Sequence, residues 1–171
     1  EEGSEVIWKE VPDGVIFRRI GYVAPMNAPD AFNLNIAKFK AHGMGITLTS
    51  KNWQGTNVHP YVHYCESLSR LTRHKPQAFV DDVFPGFQDS VTQLHAEHLE
   101  AGVPRWDRPG SDWNSGWGME GWTQKTLDNL SASNMDLAMI EGIYGRDGNW
   151  MDGPNGGNSK DFMTNVVVFG R

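Results

Sequence analysis

The chain has 171 residues, with 15 Lys and Arg against 21 Asp and Glu, a net charge of −6 and 39% hydrophobic residues. That composition suits a globular domain with its own core rather than a disordered chain, and the acidic balance, with no basic stripe, argues against a nucleic-acid binder. Apolar runs such as residues 166–169 fall far short of the about 20 residues a membrane span requires, and the lone Cys65 rules out an internal disulfide and any cysteine-built zinc, iron–sulfur or c-type haem site within this chain.

At the start, Glu1-Glu2-Gly3-Ser4 has neither the basic nor the apolar run of a signal peptide. Residues 6–11 and 15–23 are rich in β-branched and aromatic side chains and flank Pro12-Asp13-Gly14. This triplet suits a type I turn with a glycine at positive φ, and the whole predicts an N-terminal β-hairpin. Residues 24–29 read as a proline-punctuated loop. From 32 to 41, Leu34, Ile36 and Lys38 alternate with Asn35, Ala37 and Phe39, which predicts a strand. Gly43 and Gly45 break it, and residues 46–52 fit either a strand by propensity or a helix starting after the glycines.

A helix is predicted over 62–73, ending before Pro76. The clearest helix covers 87–101, where Phe87, Val91, Leu94, His98 and Leu99 share one face and Gly102 and Pro104 terminate it. Residues 106–118 read as a long tryptophan-bearing loop. Residues 121–130 read as a second amphipathic helix with Trp122, Thr126, Leu127 and Leu130 inward. A short buried strand is expected over 136–141, then a loop rich in Gly, Asn and Asp over 142–157. Residues 164–169 predict an apolar strand of the kind buried on both faces of a sheet. The sum is an α/β fold over a single domain, residues 1–171: a mixed or parallel sheet flanked by helices, with an N-terminal β-hairpin. Since that apolar strand stops just before Arg171, the sequence also predicts either a piece of a longer domain or an edge covered by another protein chain.

Chemistry-bearing residues gather in two places. In a strand, Lys38, Lys40 and His42 share one face, and three cationic groups in a row need solvent, carboxylates or an anionic ligand. His42 falls near the carboxyl end, where ligand crevices of α/β sheets form, and Lys51 and Asn52 follow closely enough to close over the same spot. The bland reading is a solvated edge strand that uses lysines against aggregation. Farther on, Glu141 precedes Gly142, Gly145 and Gly148, spaced so that backbone N–H groups could approach an anion, although a structural turn explains the same spacing. Asp147, Asn149, Asp152 and Asn155 offer the hard oxygen ligands that suit calcium, without matching an EF-hand. His95 and His98 are spaced to share a metal on one helix, yet a satisfied core histidine is the commoner outcome, and no metal ligand set is assigned. Five of the 7 tryptophans fall between Trp106 and Trp150, beside Asp107, Asp112 and Glu120. Packing is their ordinary use; carboxylates beside aromatic platforms are also what a glycosidase needs.

Three motifs in order resemble the family known as domain of unknown function 362. They are Ile36-Ala37-Lys38-Phe39-Lys40-Ala41-His42, Thr47-Leu48-Thr49-Ser50-Lys51-Asn52-Trp53-Gln54-Gly55, and Met139-Ile140-Glu141-Gly142-Ile143-Tyr144-Gly145-Arg146-Asp147-Gly148-Asn149. The first is similar to the family's Pro-Lys-x-Lys-x-His, with Ala37 in place of its proline. The second is similar to Thr-x-x-x-Lys-Asn-x-x-Gly. The third is similar to Asp-Gly-x-x-Gly-x-x-Gly-Asn, with Glu141 in place of its aspartate. The resemblance implies an α/β fold, a longer family domain of which this chain is part, occasional association with iron–sulfur modules, and export to an extracytoplasmic compartment. It brings no assigned reaction and no cofactor.

These readings converge on a domain that binds a small anionic ligand, a carboxylate or phosphate, and is catalytic or redox-associated. His42 and Lys40 are the catalytic candidates, since imidazole exchanges a proton near neutral pH. Lys38, Lys51, Asn52, Glu141, Gly142, Gly145, Asp147, Gly148 and Asn149 are the ligand-binding candidates. Two alternatives stay open: a carbohydrate-binding or carbohydrate-active module using the tryptophan loop, and an accessory subunit whose terminal strand is covered in an assembly.

Overall fold

The computed structural model describes residues 5–42, 45–58, 81–103, 116–146 and 160–170, the side chains of 42–47 excepted. The helix predicted over 62–73 and most of the tryptophan loop lie outside them. In chain order the described elements are β1 (Val6–Glu10), β2 (Arg19–Val23), β3 (Leu34–His42), β4 (Gly45–Thr47), α1 (Thr49–Trp53), a 3₁₀ turn (Gln54–Thr56), α2 (Phe87–Glu100), α3 (Gly116–Ser131), β5 (Leu137–Arg146) and β6 (Asp161–Gly170). The fold is α/β, with an N-terminal hairpin and a mixed sheet. Two compact units make up the chain: Glu1–Met26 with Thr56–Ser133, and Asn27–Gly55 with Asn134–Arg171.

In the first unit β1 and β2 pair antiparallel from Val6↔Val23 to Glu10↔Arg19. The predicted hairpin is present, but β2 starts at Arg19 rather than at residue 15. The turn itself is closed by Gly14 N–H donating to the Val11 carbonyl at 3.0 Å. Gly14 does not adopt a left-handed φ; glycine is needed because a Cβ would collide with the Phe17 carbonyl oxygen and the Val11 side chain. Residues 15–17 leave the ladder because their N–H groups point elsewhere, to the Asp128 carboxylate. Val15 N–H donates to Oδ1 at 2.9 Å, and Ile16 and Phe17 N–H donate to Oδ2 at 2.7 and 2.9 Å. Two flanking segments extend the pairing: Val58 N–H donates to Gly21 O at 3.0 Å and Phe84 N–H to Ile16 O at 2.9 Å. Val11, Ile16, Phe17, Ile20, Tyr22 and Val91 are buried as the apolar core.

Helix α2 ends as its sequence predicts. Gly102 sits at φ 68, with Gly102 N–H on Leu99 O at 3.1 Å and Val103 N–H on His98 O at 2.9 Å, which is a Schellman closure. Its inward face is narrower than expected: Val91 is buried, whereas Leu99 is exposed. Helix α3 departs further. It begins at Gly116, so Trp117 belongs to the helix and donates from Nε1 to Thr92 Oγ1 at 2.9 Å. Its buried side consists of Gly116, Gly118, Glu120, Gly121, Gln124, Lys125, Asp128 and Asn129, while Leu127 and Leu130, expected inward, are exposed. The helical period is as read, but the buried stripe is polar. Buried polar groups persist where partners meet them, and several of these are met, although Asn129 Nδ2 has no hydrogen-bond partner among the described residues. Asp128 holds the residue 15–17 backbone, Asn129 Oδ1 accepts from Tyr22 Oη at 2.8 Å and from Asn57 Nδ2 at 3.1 Å, and Glu120 meets His98 and Gln124.

The second unit is a four-stranded sheet in the order β4-β3-β5-β6. Strands β3 and β5 run parallel from Leu34↔Leu137, while β4 on β3 and β6 on β5 are antiparallel. Alternation in β3 is as predicted, yet its inner side is Asn33, Asn35 and Ala37, and Phe32, Leu34 and Ile36 are exposed. The inward asparagines are answered. Asn33 Nδ2 donates to Asn134 O at 3.0 Å and Ala31 O at 3.2 Å, and its Oδ1 accepts from Asn27 N–H at 3.2 Å. Asn35 Nδ2 donates to Thr49 O at 2.8 Å, which fastens the start of α1 to the sheet. The segment over 46–52 is therefore both of its predicted alternatives in succession, a strand and then a short helix.

Two expectations for the C-terminal strands are corrected. Strand β5 does not end at Glu141 but runs on to Arg146, so Gly142 and Gly145 are strand residues rather than loop residues. Strand β6 is not buried on both faces: Val166, Val167, Val168 and Phe169 are exposed, and β6 is the edge strand of the described sheet, beside β5. Its register slips between Gly142 and Tyr144, where Asn165 takes φ 53. Asparagine tolerates that left-handed conformation better than most residues, and such a residue marks a bulge.

Candidate functional site

The parallel pair β3–β5 brings the two sequence-predicted regions side by side. The register is Lys38↔Glu141 and then Lys40↔Arg146, with an irregularity between them. Lys38 Nζ donates to Glu141 Oε2, and Ile143 N–H donates to Glu141 Oε1 at 2.8 Å. This pair is solvent-exposed. The Lys38 hydrogen bond, followed by the backbone N–H groups of Ile143 and Tyr144, lowers the Glu141 carboxyl below the ordinary glutamate value despite some opposing desolvation.

A carboxyl with a lower pKa folded than unfolded binds its proton less tightly in the folded chain. Its stabilising effect is present above the unfolded value, about 4.3, and is lost as the pH falls through the folded value. Glu141→Gln should therefore lower the urea midpoint relative to the parent at pH 7, with the gap closing towards pH 3. A gap that is unchanged or wider in acid would show that the pair does not act this way.

The remaining predicted residues divide by position. Lys40 lies two residues from the end of β3, beside Thr47 of β4 and Arg146 of β5. His42 is the last residue of β3, at the carboxyl end of the parallel pair, and pairs with Gly45. Lys51 stands in α1 and is half-buried. Asn52 is not at the cationic end: its Nδ2 donates to Asn35 Oδ1 at 2.8 Å and to Ile36 O at 3.2 Å. At about 3.3 Å per residue, the five residues from Asn35 to Lys40 span roughly 16 Å, so Asn52 ties α1 to the strand rather than joining Lys40.

Gly142 and Gly145 are there for close packing. A Cβ on Gly142 would come within 2.9 Å of the Val166 carbonyl oxygen, and one on Gly145 within 2.7 Å of the Phe162 ring and 3.1 Å of Phe39. Asp147, Gly148 and Asn149 lie outside the described residues, as do Asp107, Asp112, Asp152 and Asn155. Glu120, one of the carboxylates considered for sugar chemistry, is fully buried: His98 Nδ1 is 3.0 Å from its Oε2 and Gln124 Nε2 donates to its Oε1 at 2.7 Å. Among the described residues, no group of three or more His, Cys, Asp and Glu gathers as a metal site, and no helix is long and apolar enough to cross a membrane.

Sequence reading missed Arg146, which ends β5. Nη1 donates to Asp161 Oδ1 at 3.3 Å, while Nε and Nη2 are buried with no hydrogen-bond partner among the described residues. The Arg146 side chain is 14% exposed. A buried donor left unanswered costs about 1–3 kcal/mol, and Arg146 carries two such nitrogens on a strand next to Lys40. The signal available in the sequence was a lone arginine closing residues 139–146, whose only other charge is Glu141. No family model, curated protein or solved structure matches this chain.

Proposed function

We propose that the chain binds a small anionic ligand, carrying a carboxylate or a phosphate, at the carboxyl end of the β3–β5 pair. The observation that carries this reading is the buried Arg146 guanidinium with two unanswered N–H-bearing nitrogens. Lys40, its register partner, adds a second positive charge, and His42 at the end of β3 is the group suited to proton transfer on a bound ligand. Lys38 contributes little, since Glu141 already neutralises it. Crevices outside the carboxyl ends of parallel strands are where open α/β sheets take their ligands. Membership of the family of domain of unknown function 362, with its iron–sulfur association and extracytoplasmic setting, belongs to the same proposal and rests on the three sequence motifs.

The test is a thermal-shift screen of phosphorylated and carboxylated small molecules. A ligand at a hundred times its Kd stabilises the folded chain by about 2.7 kcal/mol, which raises the midpoint by several degrees. The parent chain should respond to at least one member of the screen, and Arg146→Ala should lose that response. A folded parent indifferent to the whole screen would remove the proposal.

A second reading has its own observation. The exposed Val166, Val167, Val168 and Phe169 of β6 are the surface an accessory subunit would cover with another chain. Light scattering on the isolated chain separates the two, because a stable monomer at high concentration disfavours the subunit reading.

A further inference from the structure

The guanidinium of Arg146 is answered on one side only. Nη1 reaches Asp161 across the register pair that opens the β5–β6 ladder. Nε and Nη2, both buried and without hydrogen-bond partners among the described residues, lie together on the opposite edge of the plane. Their N–H bonds there run nearly parallel, at a spacing that matches two oxygens of one oxyanion. We infer that this edge is a bidentate fork for a single carboxylate or phosphate group, and that Asp161 is a positioning residue that holds the guanidinium plane from its far end. The inference deepens the proposed function and rests on it.

The chemistry sets the selectivity. A lysine ammonium or a diffuse positive field attracts any anion of the same charge, including a halide. A planar fork favours acceptors with two oxygens about as far apart as its own donors, and an Arg-to-Lys change there is not conservative. Lys40 supplies the undirected part of the attraction and Arg146 the directed part. Asp161 is 58% exposed and carries no core packing, so its replacement can change the aim of the fork while leaving the fold intact.

The experiment is calorimetric titration of the full chain with sodium phosphate, sodium acetate and sodium chloride at matched ionic strength, for the parent and for R146K, D161N and D161E. Expected is saturable binding of phosphate or acetate, the two arms distinguishing which oxyanion fits, with chloride unable to displace it. R146K should weaken the oxyanion by about tenfold or more although the charge is kept. D161N should reduce the preference for oxyanion over chloride, and D161E should restore part of it, a rescue that a merely structural role would not give.

If R146K stays within about twofold of the parent, or chloride competes equally, the fork is wrong although the anion site stands. If the folded parent binds neither oxyanion, both fail. Should R146K not fold, the selectivity of D161N decides: an unchanged oxyanion-to-chloride ratio overturns the fork.

Discussion

Replacing Asp128 by alanine is expected to cost about 3–6 kcal/mol of folding stability. Its carboxylate accepts from the N–H groups of Val15, Ile16 and Phe17, and these residues have left the hairpin ladder to reach it. Alanine strands buried donors, at about 1–3 kcal/mol each, and the strain is shared by β2, which begins immediately afterwards. Leu127→Gln, one residue away on the exposed side of α3, should stay within about 0.5 kcal/mol. Urea unfolding at pH 7 measures both. Similar small losses at the two positions would show that α3 does not bury its polar side.

Asp128 also has a pH signature. Burial pushes its carboxyl above the ordinary aspartate value, while the backbone N–H groups of Phe17, Val15 and Ile16 pull it back. A carboxyl with a higher pKa folded than unfolded binds its proton more tightly in the folded chain. The resulting stability is fully present below the unfolded value, about 3.9, and is lost as the pH rises through the folded value. This is opposite in sign to Glu141. Asp128→Asn should remove that acid-side component, so the difference between parent and variant should change across this window in the direction stated.

How much of this was legible beforehand follows from what sequence patterns encode. Periodicity gave β3, α2 and the second helix their types, because spacing follows backbone geometry whatever the side chain. Gly102 located the end of α2, because a left-handed closing residue is nearly a glycine property. Which side faces inward was not legible for α3 or β3. The rule that apolar residues lie inside assumes buried polar groups lack partners, and here the partners are remote in sequence: Asp128 is answered by residues 15–17, and Asn33 by Asn134. The same holds at the candidate site. Lys38 and Glu141 were singled out separately, but their direct pairing depends on the parallel register of β3 and β5. Arg146 has little legible sequence signal, because a single arginine acquires meaning only from what its nitrogens fail to meet. The length of β5 was misjudged for a related reason. Gly142 and Gly145 look like loop residues until Phe39, Phe162 and the Val166 carbonyl are placed against them.

Asn33 is the position where this inside-out pattern can be tested most directly. It precedes β3 as Asp136 precedes β5, and the two clasp each other. Asn33 N–H donates to Asp136 Oδ2 at 2.7 Å, and Asp136 N–H returns to Asn33 O at 3.1 Å. The Asn33 side chain then holds Asn134 O, Ala31 O and Asn27 N–H. Parallel strands have no hairpin to set their register; this clasp aligns Leu34 with Leu137, the first step of the register that later puts Lys40 beside Arg146.

Asn33→Ala keeps the backbone bonds but leaves the buried Asn27 N–H and two part-buried carbonyls, of Ala31 and Asn134, without its side chain, and should cost about 1–3 kcal/mol. Leu34→Ala, which removes an apolar side chain from a position 46% exposed, should cost under about 1 kcal/mol. An ordinary amphipathic strand would give the reverse ranking. Chemical denaturation of the two variants side by side decides it, and a larger loss at Leu34 than at Asn33 would mean that the sheet's apolar face is covered in solution.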